Sequence, residues 1–263
     1  MHPARPGVSV VTGFLLFSLL APAVVWSGPG TISDWKSITR QEVLEVIHNT
    51  PAGTKPNLKG KDFRGQDMSG IDFRGADFFY THMRGVNLSG SNFENANLDL
   101  AIMPDANLDG VNLRNTTMNN TELGGANLKN ADLTGAKFMA KAKGANLEGA
   151  IMVRVKGGAN MDNQSMGMLR TILDYANLKN ANLEEADLSF CTMQFGNLAN
   201  ANLRGANLTW CDLSKTDFTG ADLTNVNLTK AKLTGTVFKK IKGQDTIVGL
   251  DTARDIESAE FDQ

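Results

Sequence analysis

Ala176-Asn177-Leu178-Lys179-Asn180, Ala181-Asn182-Leu183-Glu184-Glu185 and, further on, Ala206-Asn207-Leu208-Thr209-Trp210 repeat one five-residue form. Followed outward from there, an apolar residue returns at every fifth position over most of the interval from Leu58 to Phe238. There are 35 such centres, 20 Leu, 8 Met and 7 Phe, and Asn or Asp stands immediately before 24 of them. Every fifth residue of an α-helix advances about 140° around the axis, so this series would smear over the whole cylinder and form no face. Five does not match the two-residue alternation of a strand either. A fixed internal period of this strictness marks a repeat architecture.

A square coil with one pentapeptide on each side satisfies the period. The centre residue and the small residue two before it, mostly Ala, point inward, and the other three point out. Successive coils then bond as parallel strands about 4.8 Å apart, while Gly, Asn and Asp near the corners accept left-handed backbone. On these strings the chain resembles the pentapeptide repeat family, over roughly 70% of its length. The resemblance implies an all-β fold: a right-handed quadrilateral parallel β-helix, a solenoid with a narrow, fully packed core.

The register predicts one continuous solenoid. Centres run unbroken from Leu58 to Phe138, fall at Leu147, Met152, Met161 and Met166, and run unbroken again from Leu173 to Phe238. The intervals 138–147 and 152–161 are each one residue short of two repeats, and 166–173 is two residues too long for one. The errors cancel over seven repeats, so about nine coils with two tight corners and one compensating bulge are expected.

The ends need covering, because open edges invite association. Thr39-Arg40-Gln41-Glu42 is a capping box and Ile38 with Val43 a hydrophobic staple, which predicts a short capping helix over 39–48 before Pro51. Val43, Leu44, Val46 and Ile47 would pack on the first coil. Beyond Phe238 the period breaks, and from Gln244 onward the tail carries six acids and one base. It reads as a short helix from about Asp251 or a degenerate final coil. At the other terminus, the 19 residues from Val8 to Trp26 hold no charge and follow His2 and Arg5. This reads as a secretory signal cleaved after Ala21-Pro22-Ala23, or as an uncleaved anchor long enough to span a bilayer. The division expected is 1–27 signal peptide or anchor, 28–56 capping segment with its helix, 57–240 pentapeptide-repeat β-helix and 241–263 C-terminal cap. Either reading of the terminus places the remainder outside the cytoplasm, in a periplasm or thylakoid lumen.

Composition narrows the chemistry. Of 263 residues, 26 are Lys or Arg and 28 Asp or Glu, a net charge of −2 that offers no basic field for nucleic acid. His2, His48 and His82 have no metal-ligand spacing, and two cysteines exclude a four-Cys zinc site. No nucleophile with its base, phosphate-cradling Gly loop or cofactor motif is present, so no catalytic, cofactor-binding or metal residue is expected. Asp62, Asp67, Asp72 and Asp77 occupy one position around a full coil, with His82 stacked on Asp62, and so face four directions.

Three features remain. Tyr175, Phe190, Phe195 and Trp210 sit two after a centre, Tyr175 in line with Phe195 and Phe190 with Trp210. They form either an exposed interaction patch or aromatic covers over corner backbone. Lys137, Lys141, Lys143, Arg154, Lys156 and Arg170 cluster where the register is irregular, as a basic strip for an anionic partner or as a solvated loop. Cys191 and Cys211 stack one coil apart. Their Cα spacing allows a disulfide, but parallel Cβ vectors hold the Cβ atoms near 4.8 Å against a preferred 3.5–4.5 Å, which favours buried free thiols. The expected function is a non-catalytic extracytoplasmic scaffold or protein-interaction module, an accessory subunit of a membrane complex being one form of it. Its partner is a protein, and a membrane tether through the N-terminal segment goes with the anchor reading. The alternative is a gyrase- or topoisomerase-binding DNA mimic of the quinolone-resistance type, the role that the resemblance brings with it. The export signal and a repeat region summing to about +2 over 57–243 oppose it.

Overall fold

Three backbone bonds per repeat tie each coil to the next, one of them a corner bond such as the Gly90 N–H to Asp109 O (3.0 Å). The Leu88 N–H donates to Asn107 O (2.8 Å), and the Asn107 N–H donates back to Val86 O (2.9 Å). The same pair recurs throughout the described residues, 35–159 and 169–262 of a computed structural model. Parallel bridges therefore join residue i to i+20 and define four faces. Face A carries Asp62, His82 and Ile102; face B, Asp67, Asn87 and Asn107; face C, Asp72, Asn92 and Asn112; face D, Asn57, Asp77 and Asn97. The chain is a right-handed quadrilateral parallel β-helix of about ten coils, each about 4.8 Å high.

Side chains follow from this frame. Centres such as Leu98, Met103, Leu128 and Phe218, and the small residues before them such as Ala126 and Ala201, have no more than 1% of their surface exposed. The pre-centre Asn does two jobs at once. Its Oδ1 accepts the N–H two residues on, as Asn107 does from Asp109, and its Nδ2 donates to the coil below. On face B this builds an unbroken amide ladder, Asn177 to Asn146 to Asn127 to Asn107 to Asn87 to Asp67, with steps of 3.0–3.2 Å. The residue two after the centre turns the corner in the left-handed region. Glycine serves at Gly205 (φ 66°), but Leu100, Tyr175 and Trp210 take φ of 60–62°, a conformation that costs them energy relative to Gly or Asn.

The irregular coils depart from the seven-repeat expectation. The step after Phe138 is four residues, and Ala142 occupies the next centre, fully buried, with Lys141 bridged to Glu122 and Ile172. Leu147, Met152 and Gly157 follow at normal spacing, so the second tight corner does not exist. Gly157 holds a buried centre position because Thr171 Oγ1, Leu188 Cδ2 and Phe138 O would lie 2.6–2.9 Å from any Cβ there. The coil is kept through Ala159, whose N–H donates to Ser189 O, and resumes by Thr171 and Ile172 ahead of the centre at Leu173. Five sides, not seven, separate Phe138 from Leu173, and phase is restored by an insertion at the corner between faces D and A. Met161 and Met166, expected as centres, lie outside the described residues.

Side-chain groups stand in for the missing coils at both ends. Strand β1 (Lys36–Ser37) pairs with β2 (Lys61–Asp62), and helix α1 (Arg40–His48) follows, capped by Thr39 and Glu42 in a reciprocal box. Val43 and Ile38 are buried and Val46 and Ile47 pack half-buried against the core, whereas Leu44, expected to pack inward, is 41% exposed because it is turned about 100° around the helix from Val43. Arg40 donates to Asp67 O and Ser69 O, both at 3.0 Å, replacing two N–H groups that a preceding coil would supply. Past β3 (Val237–Phe238), the last sides lengthen to six residues, each holding a 3-10 turn, at Gln244–Thr246, Leu250–Thr252 and Ile256–Ser258. There Thr246, Thr252 and Ser258 hydroxyls accept the corner N–H groups of Asn225, Lys230 and Gly235. The tail is thus a final coil ending in β4 (Glu260–Phe261), which pairs with β3.

Leu128→Asp puts a carboxylate into a fully buried centre and should unfold the helix or cost more than about 4 kcal/mol. Leu100→Asp, at a left-handed corner where Asp is tolerated, should melt within about 0.5 kcal/mol of the parent. Thermal denaturation followed by circular dichroism checks both.

Candidate interaction surface

Face A is flanked by aromatic corners in the coils that follow the insertion. At the A/B corner, Tyr175 and Phe195 stack parallel, with ring centroids 4.8 Å apart and an interplanar angle of 3°. Lys143 Nζ lies over the Tyr175 ring (5.4 Å) and Lys215 Nζ over the Phe195 ring (5.1 Å). A cation–ring–ring–cation column results. At the D/A corner, Phe190 and Trp210 stack at 6.2 Å and 3°, and the Arg254 guanidinium lies 5.8 Å from the Trp210 ring. One coil rise sets both stacks, and the ring faces are taken up within each column. Tyr175, Phe195 and Trp210 nevertheless remain 54%, 43% and 46% exposed, so the columns present ring edges, the electropositive part of the quadrupole. Between them lies a polar strip in which Gln194 donates from its side chain to Asp212 and from its backbone to Asp174, both at 2.9 Å.

The six basic residues do not form one strip. Lys137 and Lys156 are bridge partners on face D; Lys141 and Lys143 lie on face A; Arg154 turns the C/D corner at φ 53°; Arg170 stands where the insertion rejoins the coil. Lys141 pairs with Glu122 at 2.6 Å. Lys143 alone among the six joins the aromatic surface. Lys215 and Arg254 were not singled out from sequence, although Lys215 follows Phe195 by 20 residues at the same corner and that spacing was enough to find it.

Cys191 and Cys211 directly follow Phe190 and Trp210, with their side chains turned into the core. Both are buried and unbonded, Sγ to Sγ 2.8 Å, and the Cys211 thiol lies 2.9 Å from Leu188 O. Burial pushes the Cys211 thiol well above its ordinary pKa.

The ring of acids near the first coil does not converge. Arg64 grips Asp62 and Arg74 grips Asp72, each with a closest contact of 2.6 Å, holding both carboxylates below their ordinary range. Asp67 is held low chiefly by hydrogen bonds from Ser69, and Asp77 pairs with Lys59. His82 sits above Asp62 but 3.8 Å from it. Its ring packs against Trp35 (4.5 Å), which also touches Tyr80, a contact invisible in the repeat. Burial, then the Arg64 charge, lower the His82 pKa against the pull of Asp62. Among the described residues no group of three or more His, Cys, Asp or Glu is placed to hold a metal.

Such a molecule is a β-solenoid repeat protein whose chemistry lies on its outer corners. A family model described as pentapeptide repeats matches in 8 copies, over residues 57–95, 81–120, 106–139, 171–205 and 201–239, and the chain belongs to the pentapeptide repeat family. No curated protein matches it significantly. Among solved structures it is similar to HetL, a pentapeptide repeat protein involved in heterocyst differentiation regulation in the cyanobacterium Nostoc sp. strain PCC 7120. They share 26% identity over 85% of this chain and 94% of HetL, at a TM-score of 0.43. QnrB1, a plasmid-mediated fluoroquinolone resistance protein, is 20% identical over 87% of this chain and 90% of its own, at a TM-score of 0.52, and shares the fold. A thylakoid-lumen pentapeptide repeat protein of Arabidopsis thaliana is 23% identical over 59% of this chain and 69% of its own, at a TM-score of 0.17.

Because His82 is held neutral in the fold, the unfolded chain takes up a proton first as pH falls. Stability present above about pH 6.5 should therefore be lost progressively below it. The melting temperature should drop between pH 7.5 and 5.5, before the carboxylates titrate, and His82→Gln should remove much of that drop.

Proposed function

We propose that this protein is a non-catalytic interaction scaffold outside the cytoplasm, docking a protein partner on face A between its two aromatic columns. The observation that carries the reading is the pairing itself. Large aromatic residues occupy left-handed corners that Gly or Asn would fill at lower cost, and they remain about half exposed on both borders of one face. Open ring edges beside the cations of Lys143, Lys215 and Arg254, which lie over the ring faces, suit a partner offering carbonyl or carboxylate groups. The rigid coil holds these groups at fixed spacing, so little ordering entropy is lost on docking.

Export rests on the uncharged run from Val8 to Trp26 and the Ala21-Pro22-Ala23 site, which lie outside the described residues. Among the described residues no helix is long and apolar enough to cross a membrane. A membrane-complex subunit, tethered through that N-terminal run, is the form in which an uncleaved segment would fit.

Two measurements test these claims. Cell fractionation with mass spectrometry of the mature amino terminus should find a start at Val24, or an intact start in the membrane fraction; a soluble cytoplasmic protein beginning at Met1 would overturn export. Cross-linking should then capture a partner that the Tyr175→Asn, Phe195→Asn, Trp210→Asn triple variant binds at least tenfold more weakly. Asn suits these corners, so the variant should melt like the parent, and a remote Leu100→Asn control should bind normally. Equal capture by triple variant and parent would exclude face A.

A further inference from the structure

We propose that Cys191 and Cys211 become joined by a disulfide that staples two successive coils at the D/A corner. Both occupy the inward small-residue position on adjacent coils, filled in the same column by Ala101, Ala140 and Ala231. The coil rise puts their Cα atoms about 4.8 Å apart, inside the range that a disulfide spans. Side-chain rotation already brings the sulfurs to 2.8 Å, and the bond further requires the two Cβ atoms to draw together from about 4.8 Å into the 3.5–4.5 Å that a disulfide takes. The sulfur separation is well inside the ~3.5–4.0 Å at which unbonded heavy atoms rest. Closing the bond needs a further shift of about 0.8 Å.

The step balances as thiol–disulfide exchange. One cysteine thiolate attacks the disulfide of an oxidant, forming a mixed disulfide and releasing one oxidant thiol; the second cysteine displaces the other. The protein loses two electrons and two protons, and one oxidant disulfide becomes two thiols. In the folded coil the sulfurs are shielded, with 1% and 0% of these residues exposed, so exchange takes place while the coil is closing and the finished bond is protected. In the cell the oxidant comes from the extracytoplasmic setting proposed above, and the inference rests on that reading to this extent. The bond would lock the two coils that carry Phe190 and Trp210, the residues immediately before the cysteines.

The test uses the full-length protein, refolded in glutathione buffer as oxidising as a secretory compartment, denatured, blocked with N-ethylmaleimide and weighed. The expected result is no adduct before reduction and two after it, with the oxidised form melting about 5–10 °C above the reduced form. Cys211→Ala, which places the common residue of that column, should fold and show no such difference. Two adducts on unreduced wild type would overturn the proposal. The same blocking on protein trapped in its own cells separates the two readings. A bond formed in the buffer but absent in the cell upholds the geometry and removes the oxidising compartment; a bond in both upholds each.

Discussion

The ladder from residue i to residue i+20 is the constraint from which the rest follows. An extended five-residue side can satisfy little of its backbone within itself, so its N–H and C=O groups look to the coils above and below. That favours a fixed period, and where a side is shortened after Phe138 or lengthened past Phe238 the difference is taken up at the corner while the bridges stay in step. It also makes the interior narrow, since four inward centres and four small residues fill each level. And it leaves two unsatisfied edges, one at each end of the molecule. Arg40 at the first coil and the hydroxyls of Thr246, Thr252 and Ser258 at the last are side-chain substitutes for a coil that is not there.

The repeat itself was legible from sequence because large apolar centres announce it. What stayed hidden were the centres occupied by nothing large. Ala142 and Gly157 read as ordinary small residues, and only the packing of Phe138 and Leu188 around Gly157 shows why that centre must lack a side chain. Two methionines that lie outside the described residues drew the eye in their place. The capping helix was legible to the residue because a capping box is a local signal. Arg40 was not, since its acceptors are carbonyls 27 and 29 positions away. The aromatic pairs were found by the 20-residue spacing. Of the cations over them, Lys143 stood out only as one of a basic cluster, because the insertion separates it from Tyr175. Lys215 follows Phe195 at the same 20-residue spacing, and Arg254 sits where the period itself has lengthened to six.

Since the interior is given over to holding the coils together, recognition falls to the outward positions. The four faces differ for that reason. Face B is occupied by its amide ladder, which ties Asn side chains to one another and leaves them few free bonds. Face A lacks a continuous ladder and carries His82, Ile102, Glu122, Lys141, Ile172 and Thr192 in turn. That variety fits the docking role proposed for face A, set against a neighbour whose side chains bond to one another.

The corner between Ala159 and Thr171, where residues are added to the repeat, has a consequence for what such a frame can accept. Lys141 bridges directly to Ile172, and Lys156 to Asp187, so the ladder closes over the gap as though nothing had been added. The length and content of the inserted piece are thereby uncoupled from the phase of every coil beyond it. A corner of this kind is a natural port for guest sequence, where an epitope, a reporter peptide or a second binding element can be spliced in while the scaffold on either side stays in step.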